Sequence, residues 1–407
     1  MEFPQYRVRF DNKAFYKITS LTTFEEVLLV GKRFNIHLVH AEKYFEQMQV
    51  HEMIKGNSEM YKMSTEKEFE KQFKAAKEYI KSNKNTNNMS TPKGIPSVDL
   101  SDFLSDDKTL QQNFINALGS AYEGIGFVAV RNHGISQNLI DKLYQEMKDF
   151  FGLDEATKKK YHIEGIGGQR GYTPFGQEHA KGKSAGDLKE FWHFGQFVED
   201  GDPIGRNYPE NVNVDEQPNF LKIGKEAYQT FENTGRHLLR AIALHLGLEE
   251  TYFNPFIHNG NSILRPIHYP PIVGEIEEGA VRAGEHEDIN LITLLVGASA
   301  DGLQVLNKQN EWVSVTEIQD HIVVNVGDML QRLTNNKLKS TTHRVINPSS
   351  ENLGTSRYSV PFFLHPRSDM PLNCLPSCID ADHPKAYEDI TAGEYLTERL
   401  REIGLIK

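Results

Sequence analysis

Cysteine is almost missing from this chain: Cys374 and Cys378 are the two in 407 residues. That excludes a disulfide framework, and a four-ligand zinc site would have to borrow histidines. The two thiols read as free, and fit a reducing compartment. Also missing is any run of 18 or more apolar residues, which rules out a membrane-spanning helix. The start, MEFPQYRVRFDNK, has none of the basic-then-apolar layout of a secretion signal. Positive charge is in deficit, with 45 Lys and Arg against 56 Asp and Glu and a formal net charge of −11. This argues against a partner held by phosphate neutralisation, nucleic acid above all. The expectation is a cytoplasmic protein with neither nucleic acid nor a membrane as partner. Core material is present: 38% of residues are hydrophobic and 10% aromatic, enough for a sizeable interior.

The clearest seam is KSNKNTNNMSTPKG at 81–94, too polar to bury itself and read as a linker over 81–93. Residues 1–80 before it read as a small α-rich appendage that could dock a protein partner. In its second half Thr65 and Glu68 make a capping box, and Phe69, Phe73, Ala76 and Ile80 share one helical stripe. TTFEEVLLVGKRF at 22–34 reads as a second helix. Past the linker, 108–122 is helical and GFVAVRNHG is strand closed by a turn at Gly134. Residues 136–153 make an amphipathic helix capped by Ser136, with Leu139, Ile140, Leu143, Met147 and Phe150 on one side. From about 186 onward, short strands separated by Gly, Asn and Asp dominate, interrupted by a helix around 218–247. The fold class expected is mainly β with flanking helices, built on a sandwich, jelly roll or barrel. The regions are 94–210, a helical segment at 211–260, a core at 261–370 and a C-terminal segment at 371–407.

Within that core, GEHEDIN at 284–290 and STTHRVIN at 340–347 hold His286, Asp288 and His343. With 16 histidines in the chain, roughly one H-x-D arises by chance, so the pattern alone decides nothing. Two apart on a strand, His286 and Asp288 would point to one face. Two imidazoles and a carboxylate suit non-haem Fe(II) with open positions for a co-substrate and O2. A zinc hydrolase can use the same ligand types.

The surroundings add more. GEHEDINLITLLVG, the GLQV strand, the VNVGD turn, the LTNN run, HRV and finally Arg357-x-Ser359 follow one another in order. IPSVDLS, GFVAVRNHGI, FFGLDEATKKKYH, GYTPFGQE and DLKEFWHFG precede them. Over roughly residues 94–370, this resembles the iron- and 2-oxoglutarate-dependent dioxygenases of the isopenicillin N synthase type. The resemblance implies a double-stranded β-helix (jelly-roll) core, iron on His286, Asp288 and His343, and 2-oxoglutarate and O2 as co-substrates. It implies Arg357 paired bidentately with the distal carboxylate of 2-oxoglutarate, Ser359 donating a hydroxyl to it, and Tyr269 beside it. The asparagine the family often has two residues before that tyrosine is Ile267 here, and the loop from His343 to Arg357 is longer than usual.

By position relative to the family motifs, Arg170, Trp192, Phe194 and Leu333 are the candidates for contact with a small-molecule substrate. The reaction implied is oxidation of an unactivated C–H bond with release of succinate and CO2. Relatives that close rings or form ethylene without 2-oxoglutarate share the Arg-x-Ser pair, so that alternative stays open, as do a non-catalytic binding relative and the zinc hydrolase. Other polar residues read as supporting: His133 in the packing, His268 and His365 behind the ligands or at the core edge, Lys189–Glu190 as an ion pair near the pocket, and Asp328 capping backbone amides. Met89, where the resemblance begins, reads as a natural start, predicting that a chain beginning there folds and stays active.

Overall fold

The computed structural model describes residues 3–9, 12–30, 33–40, 50, 53–54, 61–84, 95–166, 168–178, 187–199, 201–272, 281–296, 302–315, 320–347 and 354–402. Met89 and the linker beyond Lys84 lie outside them, as do residues 348–353 of the loop between His343 and Arg357. The chain divides into two compact units, 1–91 and 92–407.

The first unit is a sheet, which corrects the α-rich expectation. Strands β1 (Gln5–Arg9), β2 (Ala14–Ile18), β3 (Thr23–Val30), β4 (Arg33–His40) and β5 (Tyr61–Met63) pair antiparallel in the order β4-β3-β2-β1-β5. Of residues 22–34, read as a helix, 23–30 are β3 and 33–34 the start of β4, with 31–32 outside the described residues. The cause is burial on both faces. Phe24 packs with Ala14, Tyr16 and Ile18, while Val27 packs with Val8, Phe15 and Phe69 on the other side. A strand covered on both faces loses its period of two, and Phe24 and Val27, three apart, imitate helical spacing. The helix that was expected does form, as α1 (Glu66–Lys84), with Thr65 Oγ1 accepting from the Glu68 amide and Phe69 and Ala76 fully buried.

The second unit is two sheets and a layer of helices. In chain order it runs β6 (Ser97–Asp99), α2 (Lys108–Gly124), β7 (Phe127–Arg131), α3 (Gln137–Phe151), β8 (Gly171–Thr173), β9 (Glu190–His193) and α4 (Phe220–His245). It continues with β10 (Ile263–Leu264), β11 (Ile267–Tyr269), β12 (Ala283–His286), β13 (Ile292–Val296), β14 (Leu303–Leu306), β15 (Trp312–Ser314) and β16 (His321–Val326). Last come α5 (Asp328–Leu333), β17 (His343–Val345), β18 (Arg357–Leu364) and α6 (Ala392–Glu402). Among the described residues the larger sheet has the order β6-β7-β16-β13-β18-β11-β9-β8, with β10 also on β18, and the smaller has β12-β17-β14-β15. From β11 to β18 the chain passes back and forth between the two sheets, the path of a jelly roll. Strands β7 and β9 sit in the same sheet as the 261–370 strands, so 94–210 is woven into the core.

Strand alternation sets the layers. One face of the large sheet (Val128, Val130, Trp192, Leu264, Leu294, Val324, Phe362) packs on the helices. Ser136 caps α3 as expected and accepts from the Leu139 amide; Leu139, Leu143, Met147 and Phe150 are buried. The other face meets the small sheet, where Phe127, Ala129, Ala283, Leu303, Val305 and Val345 form a second core. Fully burying each of the Phe, Leu and Val side chains contributes roughly 1.5–3 kcal/mol. This inter-sheet core is the floor beneath His343.

Candidate metal and co-substrate site

His286 ends β12 and stands directly opposite His343, the first residue of β17. Asp288 lies two residues past the end of its strand, so the expectation of one shared strand face is replaced by another device. Its Oδ2 accepts from Thr293 Oγ1 at 2.6 Å and Asn325 Nδ2 at 2.8 Å, on β13 and β16. Oδ1 is thereby turned toward the histidines, 3.7 Å from Nε2 of each. One nitrogen or oxygen of each residue lies within 4.8 Å of the others. Two imidazole nitrogens and a carboxylate oxygen this close together are a donor set that would hold one Fe(II) ion.

Each imidazole has its far nitrogen tied: His286 Nδ1 lies 2.7 Å from the Gly284 carbonyl, and His343 Nδ1 3.1 Å from the Thr341 carbonyl. A carbonyl only accepts, so Nδ1 carries the proton and Nε2 presents a lone pair inward. Desolvation, with the His343 ring next, holds the His286 pKa down to about 4. Its side chain is nonetheless 41% exposed, so the site is open to solvent on the His286 side. Burial works to raise the Asp288 pKa, but His343, His286 and the bonds from Asn325 and Thr293 outweigh it and the carboxyl stays below its ordinary value. A His286 imidazole whose pKa is held down and an Asp288 carboxyl whose pKa is also lowered are the states that favour binding a metal. Phe127 packs edge-on against His343 at 5.5 Å.

Tyr269 and Arg357 are register partners on β11 and β18, as are Ile267 and Ser359. All four are buried. The Arg357 guanidinium lies 4.9 Å from the Tyr269 ring, and its Nε and Nη1 are shielded from solvent with no hydrogen-bond partner. A buried charged donor left unpaired is costly, so the site fits a carboxylate arriving from outside the chain. Ile267 clusters with Phe191 and Tyr269, which makes that patch apolar where the family often has an amide.

The substrate candidates fare differently. Trp192 and Phe194 are fully buried on the helix side, among Phe150, Tyr161 and Phe220. The residue facing the interior from β9 is Phe191, in register with Ile267. The alternation of β9 thus puts Trp192 on the helix face and Phe191 on the opposite one. Leu333 is also in the main core, held by α5 rather than facing the site. Arg170 is wholly buried with Nε and Nη2 unpartnered; Gly195 makes room, since a Cβ there would fall 1.7 Å from Arg170 Cζ. Burial lowers its pKa, and the groups acting on it next are Tyr228 and Tyr208. Arg170 also acts on His193, and its neighbour Tyr228 packs on Phe362.

Two polar expectations are corrected. Lys189 and Glu190 do not pair, because neighbours on an extended chain point to opposite sides. Glu190 binds Lys158, Tyr172 and His268 on the helix side. Lys189 binds Glu178 and Asp187, each at 2.8 Å. Glu178 also meets Arg265, whose Nε donates to His193. Asp187 Oδ1 accepts from the Gly284 amide at 3.2 Å, so this buried charge cluster reaches the strand that carries His286. Asp328 does not cap amides. Its carboxyl takes a hydrogen bond from Tyr395 and faces Arg399 of α6, with burial raising its pKa to about 7. His133, His268 and His365 stand in the packing, and both cysteines are buried and free, as expected.

A model of the 2OG-Fe(II) oxygenase superfamily matches residues 260–366, which hold the triad, Arg357 and Tyr269. The chain belongs to this superfamily. A second model, non-haem dioxygenase in morphine synthesis N-terminal, matches residues 95–216 of the oxygenase. A proline hydroxylase, buaE, of Petromyces alliaceus is 34% identical over 74% of this chain and 97% of its own length. A 2OG-Fe(II) oxygenase family protein from Caulobacter crescentus is 43% identical, with a TM-score of 0.69 over 76% of this chain and 99% of that one. A full-length Neurospora crassa protein solved in complex with alpha-KG, which is 2-oxoglutarate, is 31% identical, with a TM-score of 0.68 over 77% and 98%. The oxygenase reading thus stands over zinc hydrolysis and over a purely binding role. This chain is a dioxygenase that uses Fe(II), 2-oxoglutarate and O2 on a small molecule.

Proposed function

We propose that His286 Nε2, Asp288 Oδ1 and His343 Nε2 hold the iron, and that Arg357, with Tyr269 and Ser359, receives the distal carboxylate of 2-oxoglutarate. The observation that carries this is the buried Arg357, with two unpartnered donors in the sheet that also anchors Asp288. When bound, iron with 2-oxoglutarate and O2 supplies an oxidative decarboxylation to succinate and CO2 that is spent on a substrate C–H bond. The residues do the rest. Thr293 and Asn325 fix which carboxylate oxygen meets the metal. The Gly284 and Thr341 carbonyls fix the histidine tautomers. Phe127 and the inter-sheet core keep water from the His343 side.

The substrate side is assigned to Phe191, Phe363 and Arg265 in place of Trp192 and Phe194. The Arg265 guanidinium lies 4.4 Å from the Phe191 ring and 5.0 Å from the Phe363 ring. Aromatic faces beside a cation favour a compact polar ring compound. Two relatives support that class: the proline hydroxylase, and the Neurospora crassa protein, which has also been solved in complex with thymine. For residues 1–91 a protein-docking role is supported by exposed Leu21 and Met63. A cytoplasmic location fits the two free thiols and a site that needs reduced iron.

The test is succinate release from 2-oxoglutarate by the Fe(II)-loaded full chain, against a panel of compact cyclic amino acids and nucleobases. Stimulation by one compound, absent in Asp288→Ala, is expected. Iron binding without any consumption of 2-oxoglutarate contradicts the reading.

A further inference from the structure

Arg282 lies one residue before β12 and four before His286, and no step described so far uses it. It is 3% exposed. Its backbone amide donates to Asn347 Oδ1 at 3.0 Å and its Nη2 to the Thr355 carbonyl at 3.1 Å, which pins it beside the start of β18. Its Nε is shielded from solvent and has no partner. The guanidinium carbon lies 5.7 Å from the Tyr269 ring, the same ring that Arg357 approaches to 4.9 Å. Burial, and then the positive charge of Arg357, depress its pKa. Two buried cations thus flank one tyrosine, each with an unspent donor, and among the described residues no carboxylate is bound to either.

Like charges held together out of water are unfavourable unless an anion joins them. We infer that Arg282 is a second binding residue for the distal carboxylate of 2-oxoglutarate, closing with Arg357 and Tyr269 a pocket specific for a dicarboxylate. The inference rests on the proposed role of Arg357. It adds that this carboxylate is shared between two arginines, one from each sheet. Arg357 comes from the large sheet and Arg282 from the segment that enters the small one. Because Arg282 immediately precedes the strand that ends in His286, co-substrate binding would also fix the start of a metal-bearing strand.

The chemistry makes a selective prediction. Arg282 touches only the far end of the co-substrate, so its loss should weaken 2-oxoglutarate while leaving a 2-oxo acid without that end, 2-oxobutyrate, unchanged. Arg282→Met keeps the length and apolar stem but removes the charge; Arg282→Lys keeps the charge and loses the planar fork. The experiment is anaerobic calorimetric titration of the Mn(II)-loaded full chain with 2-oxoglutarate and with 2-oxobutyrate, for wild type and both variants. Mn(II) affinity is measured separately by electron paramagnetic resonance. A roughly ten- to hundred-fold weaker Kd for 2-oxoglutarate in Arg282→Met is expected, the loss of one charged hydrogen-bonding partner. Arg282→Lys should fall between, with 2-oxobutyrate and Mn(II) unaffected. An unchanged 2-oxoglutarate Kd overturns the inference, and so does equal weakening of both acids or loss of Mn(II), either of which marks a structural residue. Wild-type protein that binds Mn(II) but not 2-oxoglutarate overturns the co-substrate site itself, a result distinct from any of these.

Discussion

Thr293→Val removes one hydroxyl and almost no volume, and the structure says what that hydroxyl does. It donates to Asp288 Oδ2 at 2.6 Å and accepts from Asn290 Nδ2 at 2.8 Å, in a site closed to solvent. A hydrogen bond to a charged group contributes roughly 1.5–3 kcal/mol, and a group supporting a metal ligand typically changes metal affinity about 10–100-fold. Asn325 keeps its own bond to Oδ2, so the carboxylate loses one of two side-chain anchors. Asn290 then has an unpartnered amide nitrogen beside its already unpartnered Oδ1. The variant should therefore bind Mn(II) about ten-fold or more weakly and unfold about 1–3 kcal/mol more easily. The pH dependence has a definite sign. The Asp288 carboxyl sits below its ordinary pKa, so its stabilising contribution is full above the unfolded value and is lost as pH falls through the folded one. Removing one cause of that depression moves the acid loss, and proton competition with the metal, to higher pH. Manganese titration monitored by electron paramagnetic resonance at pH 5 and pH 7, with urea unfolding alongside, measures both effects. Unchanged affinity with lowered stability would refute the positioning role and leave Thr293 a packing residue.

Trp192→Ala should cost roughly 3–5 kcal/mol in urea unfolding and leave 2-oxoglutarate affinity near wild type; Phe191→Ala should instead raise substrate KM, and the opposite pattern would return Trp192 to the pocket. Lys189→Met leaves the buried Asp187 without its cation, while the half-buried Glu178 keeps Arg265, and should destabilise by roughly 3 kcal/mol. Because Lys189 helps keep the Glu178 pKa depressed, the acid-side loss of stability should also start at higher pH, as followed by thermal melts across pH. In the metal-free chain Asp328 has its pKa raised to about 7, so its contribution is present below the ordinary carboxyl range and is lost as pH rises through 7. Asp328→Asn should therefore raise Tm at pH 8 by more than at pH 4, and an equal shift at both would contradict it.

Short strands bounded by turn residues were enough for the mainly β class, while the triad, Arg357, Tyr269 and the jelly roll were legible only through the family resemblance that the order of the motifs carries. Orientation was less legible. Trp192 and Phe191 are adjacent, both apolar and both buried, so nothing local tells which faces the helices; the register of β9 with β11 decides it. In β3 the period itself was erased by cover on both faces. The anchors of Asp288 were hidden for a different reason. Thr293 and Asn325 sit on strands that look wholly apolar in sequence, LITLLV and HIVVNV, and a lone polar residue inside such a run was the signal available. Arg282 had no signal beyond a charge in an otherwise small, strand-forming stretch.

The most direct test of the iron and 2-oxoglutarate site is an anaerobic titration of the Fe(II)-loaded chain with 2-oxoglutarate, watching for the visible iron-to-keto-acid charge-transfer absorption. The expected result is a band that saturates in wild type, bleaches on admission of O2, is absent in His286→Ala and needs far more 2-oxoglutarate in Arg357→Ala. Iron that binds tightly with no band at any concentration of 2-oxoglutarate would contradict it.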